Sequence, residues 1–400
     1  MKIALAPDLH CFYTTYGHID KTGKNFRENE WLHVTEAFYK ECVSRKIDVV
    51  IAPGDLFTNP RPSATQILMV AKLFMNLESK GIKVLGISGN HDVGGVGVKT
   101  SNDVVGAIGG QGLWCVQSFK TCVINDIGFG FLPFLRDPAV SAYNPDYAEL
   151  ERSDKLVKIA GDLSKELDEK HAEKKILIGH YSIAGAMSSS GKSMEKTVNG
   201  IEVVLPLGEL ISEGWDACLF GHIHKPQVLS EKPFVAYSGC IQRINIGEWE
   251  DRRGFYIYDT DTEEYEFVNL PAIEMMSFVT EIDGKEKATE LFDKIKSANL
   301  KNKIVQVRYS ISKEDISLVD RNEIMDLLRK KKVLAVAGVG PHIIEVARQR
   351  DVSLTESLDS KSALEKWLDN KSVDAERKKK VFDLFEKIGA RIEAEARGSV

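Results

Sequence analysis

The stretch LGISGNHDVG, Leu85–Gly94, joins the end of an apolar strand to three consecutive polar residues. Gly89 closes the strand, and Asn90, His91 and Asp92 follow without a spacer. Burying these side chains beside a strand end would cost free energy unless partners satisfied them. Ligand sites in open α/β sheets lie at the carboxyl ends of the strands, so the stretch predicts a ligand site at this point.

Four more apolar strands in the first 225 residues end in polar motifs. They are followed by Asp8-Leu9-His10, Gly54-Asp55, Gly179-His180 and Gly221-His222-Ile223-His224. Helical patterns separate most of these strands, and this alternation predicts a mostly parallel sheet with helices on its faces. Because five of the nine histidines fall in the five motifs, we expect the motifs to form one site.

The residue types in these motifs predict a pair of metal ions. In extended backbone, residues two apart point to the same side, so Asp8 and His10 face one way. His222 and His224 form a second such pair. Two carboxylates, one amide and four imidazoles exceed the needs of one ion and suit two ions about 3.5–4 Å apart that share a carboxylate. The share of imidazole favours Mn, Fe or Zn over Mg.

Each motif alone has a simpler explanation. A lone His-x-His in a turn is usually a surface or core feature, and Gly-Asp is a common turn. The GNHD motif is more specific because it sets four residues at once. All five motifs in this order, each closing an apolar strand, favour a metal site over purely structural roles.

The sequence divides the chain into four segments, of which the first is residues 1–270 and contains all five motifs. Within 226–270 the short strands FVAYSG, RGFYIYD and EYEFVNL are expected to be antiparallel. Residues 271–345 alternate strands and helices and predict a small α+β unit, and 346–360 are a polar linker. Residues 361–400 predict two helices, and the second has an apolar stripe formed by Val381, Leu384, Phe385, Ile388 and Ile392.

Composition restricts the class of protein. The net charge of −6 does not indicate the generally basic surface that is usual for nucleic-acid binding. Six cysteines without a CxxC pair predict reduced thiols and a cytoplasmic location. No apolar run reaches the roughly 18 residues of a membrane span, and the N-terminus lacks the features of a signal peptide.

The five motifs together resemble those of the calcineurin-like metallophosphoesterases, over residues 1 to about 270. This resemblance implies an α/β fold in which helices flank a β-sandwich. Three stretches are similar to the SbcD/Mre-type nucleases of double-strand-break repair: GDLFTNPRPS (54–63), SGNHD (88–92) and YSGCIQRINIGE (237–248). Residues 272–345, with KIVQVRYSI and VDRNEIMDLL, resemble the capping domain that lies over DNA in that family.

The resemblance implies roles for individual residues. One ion would be held by Asp8, His10, Asp55 and His224, and the other by Asp55, Asn90, His180 and His222. His91 would be the catalytic histidine, and Arg61 is a candidate DNA contact. Two departures from the family pattern stand out: Cys11-Phe12 follows Asp8-Leu9-His10 where Leu-Gly is common, and Thr58 occupies a position where some members have histidine.

The resemblance also implies an activity. We expect two divalent ions, with Mn²⁺ favoured, to activate water for phosphodiester hydrolysis of DNA. The expected reactions are 3′-to-5′ exonuclease action on duplex ends and endonuclease action on single strands or hairpins, in end processing, recombination and repair. The C-terminal helices would bind an SMC-like ATPase of the SbcC type. The chain is also expected to form a homodimer through helix faces that contain Ile67, Leu68, Ala71, Phe74, Val104, Val105 and Ile108.

Two other functions remain open from the sequence. The same ligand set would serve a metallophosphatase or phosphodiesterase that acts on a small molecule or a phosphoprotein, although the additional segments after residue 270 argue against a minimal phosphatase. A non-catalytic scaffold at DNA ends would be marked by loss of ligands, and no ligand of the pattern is missing here.

Overall fold

The computed structural model describes residues 1–19, 21, 23–94, 101–108, 114–194, 202–344, 360–370 and 374–397, with the backbone alone described at 102, 366, 370 and 390–397. The strands are β1 (Lys2–Leu5), β2 (Val49–Ala52), β3 (Lys83–Gly86), β4 (Lys120–Ile124), β5 (Ile127–Leu132), β6 (Lys174–His180), β7 (Ser182–Ile183), β8 (Val204–Leu205), β9 (Ala217–Gly221), β10 (Gln227–Ser230), β11 (Phe234–Tyr237), β12 (Gly254–Asp259), β13 (Tyr265–Asn269), β14 (Met275–Ile282), β15 (Ile304–Ile311) and β16 (Ala335–Ile343). The helices are α1 (Phe26–Ser44), α2 (Ala64–Glu78), α3 (Ser101–Ile108), α4 (Asp137–Ser141), α5 (Arg152–Glu169), α6 (Leu207–Ser212), α7 (Lys285–Ser297), α8 (Arg321–Lys330), α9 (Ser360–Asn370) and α10 (Ala375–Arg397). Short 3₁₀ helices span Pro145–Tyr147, Ile246–Glu248 and Ile316–Leu318.

Two mixed sheets form the centre of the first 270 residues. The first has the strand order β13-β12-β1-β2-β3, and the second has the order β10-β11-β9-β6-β5-β4. In the first, β1, β2 and β3 are parallel, whereas β12 is antiparallel to β1 and β13 to β12. The alternation of strands and helices predicted one mostly parallel sheet, whereas the family resemblance implied a β-sandwich. The structure has two sheets, because an alternating pattern does not specify which strands pair.

One predicted strand direction is confirmed for only one of the strand's two neighbours, since β11 is antiparallel to β10 but not to β9. The strand within FVAYSG, β11, is parallel to β9, with Phe234 opposite Ala217. The reason is the edge strand β10, which reverses the chain after β9 and pairs antiparallel with β11. A second reversal then returns the chain to its original direction. The other two strands of the segment, β12 and β13, are antiparallel as predicted.

Alternate side chains of each strand pack in different layers. Ile3 and Leu5 of β1 pack between the sheets against residues such as Phe129 and Phe131 of β5. The intervening Ala4 packs on the outer side of the first sheet with residues of α1 and α2. Residues of α5 cover the outer side of the second sheet. Helices therefore flank a β-sandwich, as predicted, and burial on both faces explains why the strands are continuously apolar.

A third sheet, of order β14-β15-β16, follows the sandwich. Helix α7 buries Leu291 and Ile295, and α8 buries Ile324 and Leu328. These elements form the small α+β unit that the sequence predicted.

By compactness the chain divides into two units, one of residues 1–310 with 317–342 and one of 311–316 with 343–400. In the second unit, Lys361 near the start of α9 pairs with Glu386 of α10 at 2.5 Å, and Asp369 near the end of α9 pairs with Lys378. The two helices are therefore antiparallel. The predicted linker, 346–360, lies outside the described residues except for Ser360, and the domain boundaries at 270, 345 and 360 stay predictions. No helix among the described residues is long and apolar enough to cross a membrane.

Candidate metal centre

Backbone hydrogen bonds bring the polar loops together at one edge of the sandwich. The amide of His10 donates to the carbonyl of Asp55 at 2.9 Å, which joins the loops after β1 and β2. The amide of Asp8 donates to the carbonyl of Gly239 at 2.8 Å, and the amide of Ile241 donates to the carbonyl of Asp8 at 3.0 Å. The loop after β11 is thereby fixed beside the loop after β1.

Two glycines permit the close approach of these loops. A Cβ atom on Gly89 would lie 2.1 Å from Oδ1 of Asp55, and one on Gly221 would lie 2.5 Å from Oδ1 of Asp8. Real atoms do not approach so closely, so any side chain at either position would displace a carboxylate of the site.

Asp8, His10 and Asp55 form a buried group of donor atoms. Their candidate ligand atoms lie within 4.8 Å of one another, and the three residues are exposed by 0%, 2% and 1%. Oδ1 of Asp8 and Nδ1 of His10 have no hydrogen-bond partner among the described residues. Because orphaned polar atoms are costly in a buried position, this group is chemically suited to a cation.

His224 extends this group. Its Nε2 lies 3.1 Å from Nε2 of His10. Its Nδ1 lies 3.2 Å from Oε1 of Glu248, and Oε2 of the same carboxylate accepts a hydrogen bond from Arg253. A carboxylate on one ring nitrogen orients the ring and leaves the other nitrogen available as a ligand.

Asn90, His180 and His222 form a second group. Oδ1 of Asn90 lies 3.0 Å from Nε2 of His180 and 3.0 Å from Nδ1 of His222. Nε2 of His180 also lies 3.3 Å from Oδ2 of Asp55. The carboxylate of Asp55 therefore lies between the two groups, since the same oxygen is 3.6 Å from Nε2 of His10.

Charge in this region is incompletely balanced. Burial raises the pKa of the Asp8 carboxyl to about 7 and lowers the pKa of the His10 imidazole to about 3. Burial opposes ionisation of Asp55 and His180 as well, but their mutual attraction prevails, so the pKa of Asp55 is lowered and that of His180 rises to about 9. A divalent cation would supply the positive charge that these carboxylates lack.

The backbone is strained at three of these residues. His10, Asp55 and His222 have φ values of 36°, 47° and 95°. Non-glycine residues adopt positive φ infrequently, and such strain is concentrated at functional sites. The two residues of each D-x-H or H-x-H motif therefore do not lie in extended chain as the sequence argument assumed. As a result, His222 belongs to the second group, with Asn90 and His180, and His224 belongs to the first group, with His10.

His91 lies at the exposed rim of the centre. Its amide donates to Oδ1 of Asp55 at 2.9 Å, and its Nδ1 lies 3.2 Å from the carbonyl oxygen of Thr58. Its ring meets that of His10 edge-on, with centroids 5.1 Å apart. Arg61 is exposed on the loop after β2, and its guanidinium has no ion pair with any described residue.

Asp92 connects two of the loops. Its carboxylate accepts hydrogen bonds from the amides of Leu56, Phe57 and Gly89, at 3.2, 3.1 and 2.9 Å. Although Asp92 belongs to the GNHD motif, it is a structural residue because all three partners are backbone groups.

Replacement of Asp92 by asparagine is expected to lower the free energy of unfolding by about 2 kcal/mol, since an amide NH₂ cannot accept from the buried N–H groups. Denaturant unfolding measures the change, and Asp146→Asn is the exposed control. An unchanged midpoint for Asp92→Asn would contradict this role.

Sequence reasoning missed three residues around the histidines, namely Glu202, Glu248 and Cys240. Oε1 of Glu202 lies 2.9 Å from Nε2 of His222, and the hydroxyl of Ser182 donates to the same carboxylate. Glu248 and Cys240 lie beside His224. Glu248 and Cys240 were within the stretch YSGCIQRINIGE, but nothing local indicated their contacts, and Glu202 had no local signal.

Comparisons with known proteins identify the family of this chain. The family model for calcineurin-like phosphoesterases matches residues 1–226. The DNA double-strand break repair protein Mre11 of Methanopyrus kandleri is 21% identical over 371 residues, which cover 88% of this chain and 71% of that protein. The protein of the same name from Methanocaldococcus jannaschii is 26% identical over 74% of this chain and 73% of its own length. The uncharacterized metallophosphoesterase YhaO of Bacillus subtilis is 24% identical over 64% of this chain and 56% of its own length. The family match covers more than half of the chain, which therefore belongs to the calcineurin-like phosphoesterases.

Proposed function

We propose that this chain is the DNA nuclease subunit of an SbcCD-type complex. It hydrolyses phosphodiester bonds as a 3′-to-5′ exonuclease on duplex DNA and as an endonuclease on single-stranded or hairpin DNA, in end processing, recombination and repair. The observation that carries the proposal is the position of Asp55, whose Oδ2 is 3.6 Å from His10 and 3.3 Å from His180. Support for DNA as substrate comes from the similarity to proteins named for double-strand break repair.

The residues of the centre fit two divalent ions, for which Mn²⁺ is our proposal. The first would be held by Asp8, His10, Asp55 and His224, and the second by Asp55, Asn90, His180 and His222. The orphaned oxygen of Asp8 and the charge imbalance support this assignment. Divalent ions at such a centre supply a water of lowered pKa and stabilise charge on the phosphoryl oxygens.

The protein's own groups position the ligands and transfer a proton. The amide of His91 holds one oxygen of Asp55, which leaves the other oxygen between the two ligand groups. The carbonyl of Thr58 can only accept a hydrogen bond, so Nδ1 of His91 carries a proton. In its imidazolium form His91 also carries a proton on Nε2, which it can donate to the leaving 3′ oxygen as a general acid, leaving a neutral ring protonated on Nδ1. Thr58 thus contributes through its backbone where some relatives have histidine.

A nuclease assay tests the proposal against the alternative of a small-molecule or phosphoprotein phosphatase. With Mn²⁺, we expect release of mononucleotides from 3′ ends of linear duplex DNA and cleavage of circular single strands and hairpins. A nitrophenyl phosphate ester serves as the comparison substrate, and Asp55→Asn as the inactive control. Efficient hydrolysis of the ester without cleavage of any DNA would favour the phosphatase alternative.

We also propose a homodimer, with a narrower contact surface than the sequence suggested. Phe74 and Val105 pack in the chain's own core and Ala71 is buried, so these three residues cannot form a dimer face. By contrast, Leu68, Val104 and Ile108 are exposed by 49%, 48% and 47%. These exposed apolar side chains of α2 and α3 support the proposal of a subunit contact.

The proposed DNA contact through Arg61 rests on its exposure and on its loop. The loop begins directly after the Gly54-Asp55 motif, and Arg61 is exposed on it. Phosphate contacts by arginine would offset the negative net charge of the chain locally.

The helices α9 and α10 are the proposed binding site for an SMC-like ATPase of the SbcC type. Trp367, Leu384 and Ile388 are exposed by 49%, 58% and 51%. Val381 and Phe385 of the predicted stripe are half-buried, and the side chain of Ile392 lies outside the described residues. An exposed apolar stripe on a helix is suited to docking in a partner's groove.

Truncation at Asp351 should retain Mn²⁺-dependent cleavage of single-stranded DNA and abolish binding to the ATPase. The metal centre lies within residues 1–270, so removal of α9 and α10 leaves it complete. Co-purification with the ATPase and ATP-stimulated degradation of duplex DNA are the measurements. If the truncated chain binds the ATPase with unchanged affinity, the docking site is elsewhere.

A further inference from the structure

A thiol lies beside two of the histidines of the centre. Sγ of Cys240, a ring nitrogen of His10 and a ring nitrogen of His224 all lie within 4.8 Å of one another. Cys240 and His10 are exposed by only 1% and 2%. The ligand set of the two-ion centre described above does not include this sulfur.

We propose that Cys240 is a sulfur ligand of the ion held by His10 and His224, and that this position therefore binds thiophilic cations of the Zn²⁺ or Cd²⁺ class more tightly than Mn²⁺, the ion proposed above to support cleavage. This inference rests on the proposed two-ion centre but is independent of DNA as the substrate. Thiolate and imidazole together favour zinc-class ions, whereas oxygen-rich sites favour manganese and magnesium.

The backbone holds the thiol in this position. Cys240 forms an isolated parallel β-bridge with Asp8. Hydrogen bonds on either side of Cys240 complete the connection, from the amide of Asp8 to Gly239 and from the amide of Ile241 to Asp8. Gly239 has a φ of 81°, which turns the chain just before the cysteine. The sulfur is therefore placed by the same contacts that join the two loops.

The two imidazoles are oriented for a shared ion. Their Nε2 atoms are 3.1 Å apart, close to the roughly 3.3 Å between two nitrogen ligands at zinc distances in a tetrahedral site. The carboxylate of Glu248 accepts a hydrogen bond from Nδ1–H of His224. The other ring nitrogen, Nε2, then has a free lone pair on the side of His10. In the same buried group, Oδ1 of Asp8 lacks a partner among the described residues.

The other five cysteines can be explained by apolar packing alone, but Cys240 cannot. Buried cysteine often behaves as a small apolar side chain. Cys11, Cys42 and Cys115 belong to the cluster under α1 and α2, Cys218 belongs to the cluster under α5, and Cys122 packs against the cluster between the sheets. Cys240 is not a member of these three clusters and instead lies among polar ligand groups.

Cobalt substitution tests the proposal by spectroscopy without an activity measurement. The full-length wild-type chain loaded with Co²⁺ should show visible d–d bands and a near-ultraviolet sulfur-to-cobalt charge-transfer band. Cys240→Ser should lose the charge-transfer band and keep the d–d bands. It should also bind Cd²⁺ more weakly by about tenfold or more. Cys122→Ser, a half-buried cysteine on β4, is the matched control and should keep both sets of bands.

The outcomes separate this proposal from the two-ion centre itself. A charge-transfer band that persists in Cys240→Ser, or its absence from wild type while the d–d bands are present, overturns sulfur ligation and leaves the centre standing. Absence of both sets of bands from wild type overturns the centre and this proposal together. X-ray absorption of the Zn²⁺-loaded wild type needs no variant: a sulfur neighbour at about 2.3 Å is expected, and nitrogen and oxygen neighbours alone would overturn the proposal.

Discussion

Asp55→Asn is expected to remove both metal ions and to abolish DNA cleavage. The carboxylate lies between the two ligand groups, so its loss weakens both sites at once. Asparagine is the appropriate replacement because it tolerates the left-handed backbone that Asp55 adopts, with φ at 47°. Elemental analysis of the purified variant should show a fall from about two ions per chain toward none.

The control for Asp55→Asn is Asp283→Asn, an exposed aspartate of the small α+β unit. It should retain its metal and its activity. If Asp55→Asn instead retains two ions per chain, Asp55 does not bridge the ions and the arrangement of the centre proposed here is wrong.

His91→Ala is expected to retain metal and to lose cleavage by a factor of about 10² to 10⁴, the usual contribution of a general acid. His91 is exposed at the rim, and it contacts Asp55 through its backbone amide, which alanine preserves. The side chain forms a hydrogen bond with the carbonyl of Thr58, and its contact with His10 is between the two rings, without a hydrogen bond. Metal content and single-turnover cleavage of DNA are the two measurements.

His33→Ala is the matched control, because His33 is an exposed histidine on α1. Its cleavage rate should equal that of wild type. Loss of metal from His91→Ala to the same extent as from Asp55→Asn would make His91 a ligand and not a proton donor.

The family, the layered α/β fold and the motifs that meet in the candidate metal centre could all be inferred from the sequence. This was possible because the signals are local: each motif directly follows an apolar strand, and the carboxyl ends of parallel strands lie at the same edge. The small α+β unit was predictable for the same reason, since its helices and strands alternate with clear apolar periodicity.

Strand direction and ligand grouping were decided by tertiary structure. The direction of β11 depends on the edge strand β10, which reverses the chain, and the residues FVAYSG do not themselves indicate that reversal. The i, i+2 argument also failed locally, because positive φ values at His10 and His222 turn the chain where extended backbone was assumed. Hydrogen bonds between loops stabilise these conformations, and such bonds are not visible in a single segment.

The partners of the histidines also depend on tertiary structure alone. His10 and His224 are 214 residues apart in sequence but have ring nitrogens 3.1 Å apart. The residues that surround this pair, Glu248 and Cys240, lie on the loop that joins β11 of the second sheet to β12 of the first. Local periodicity can identify which residue types end a strand, but contacts between distant loops are determined by how the two sheets pack, because packing sets the distance between their ends.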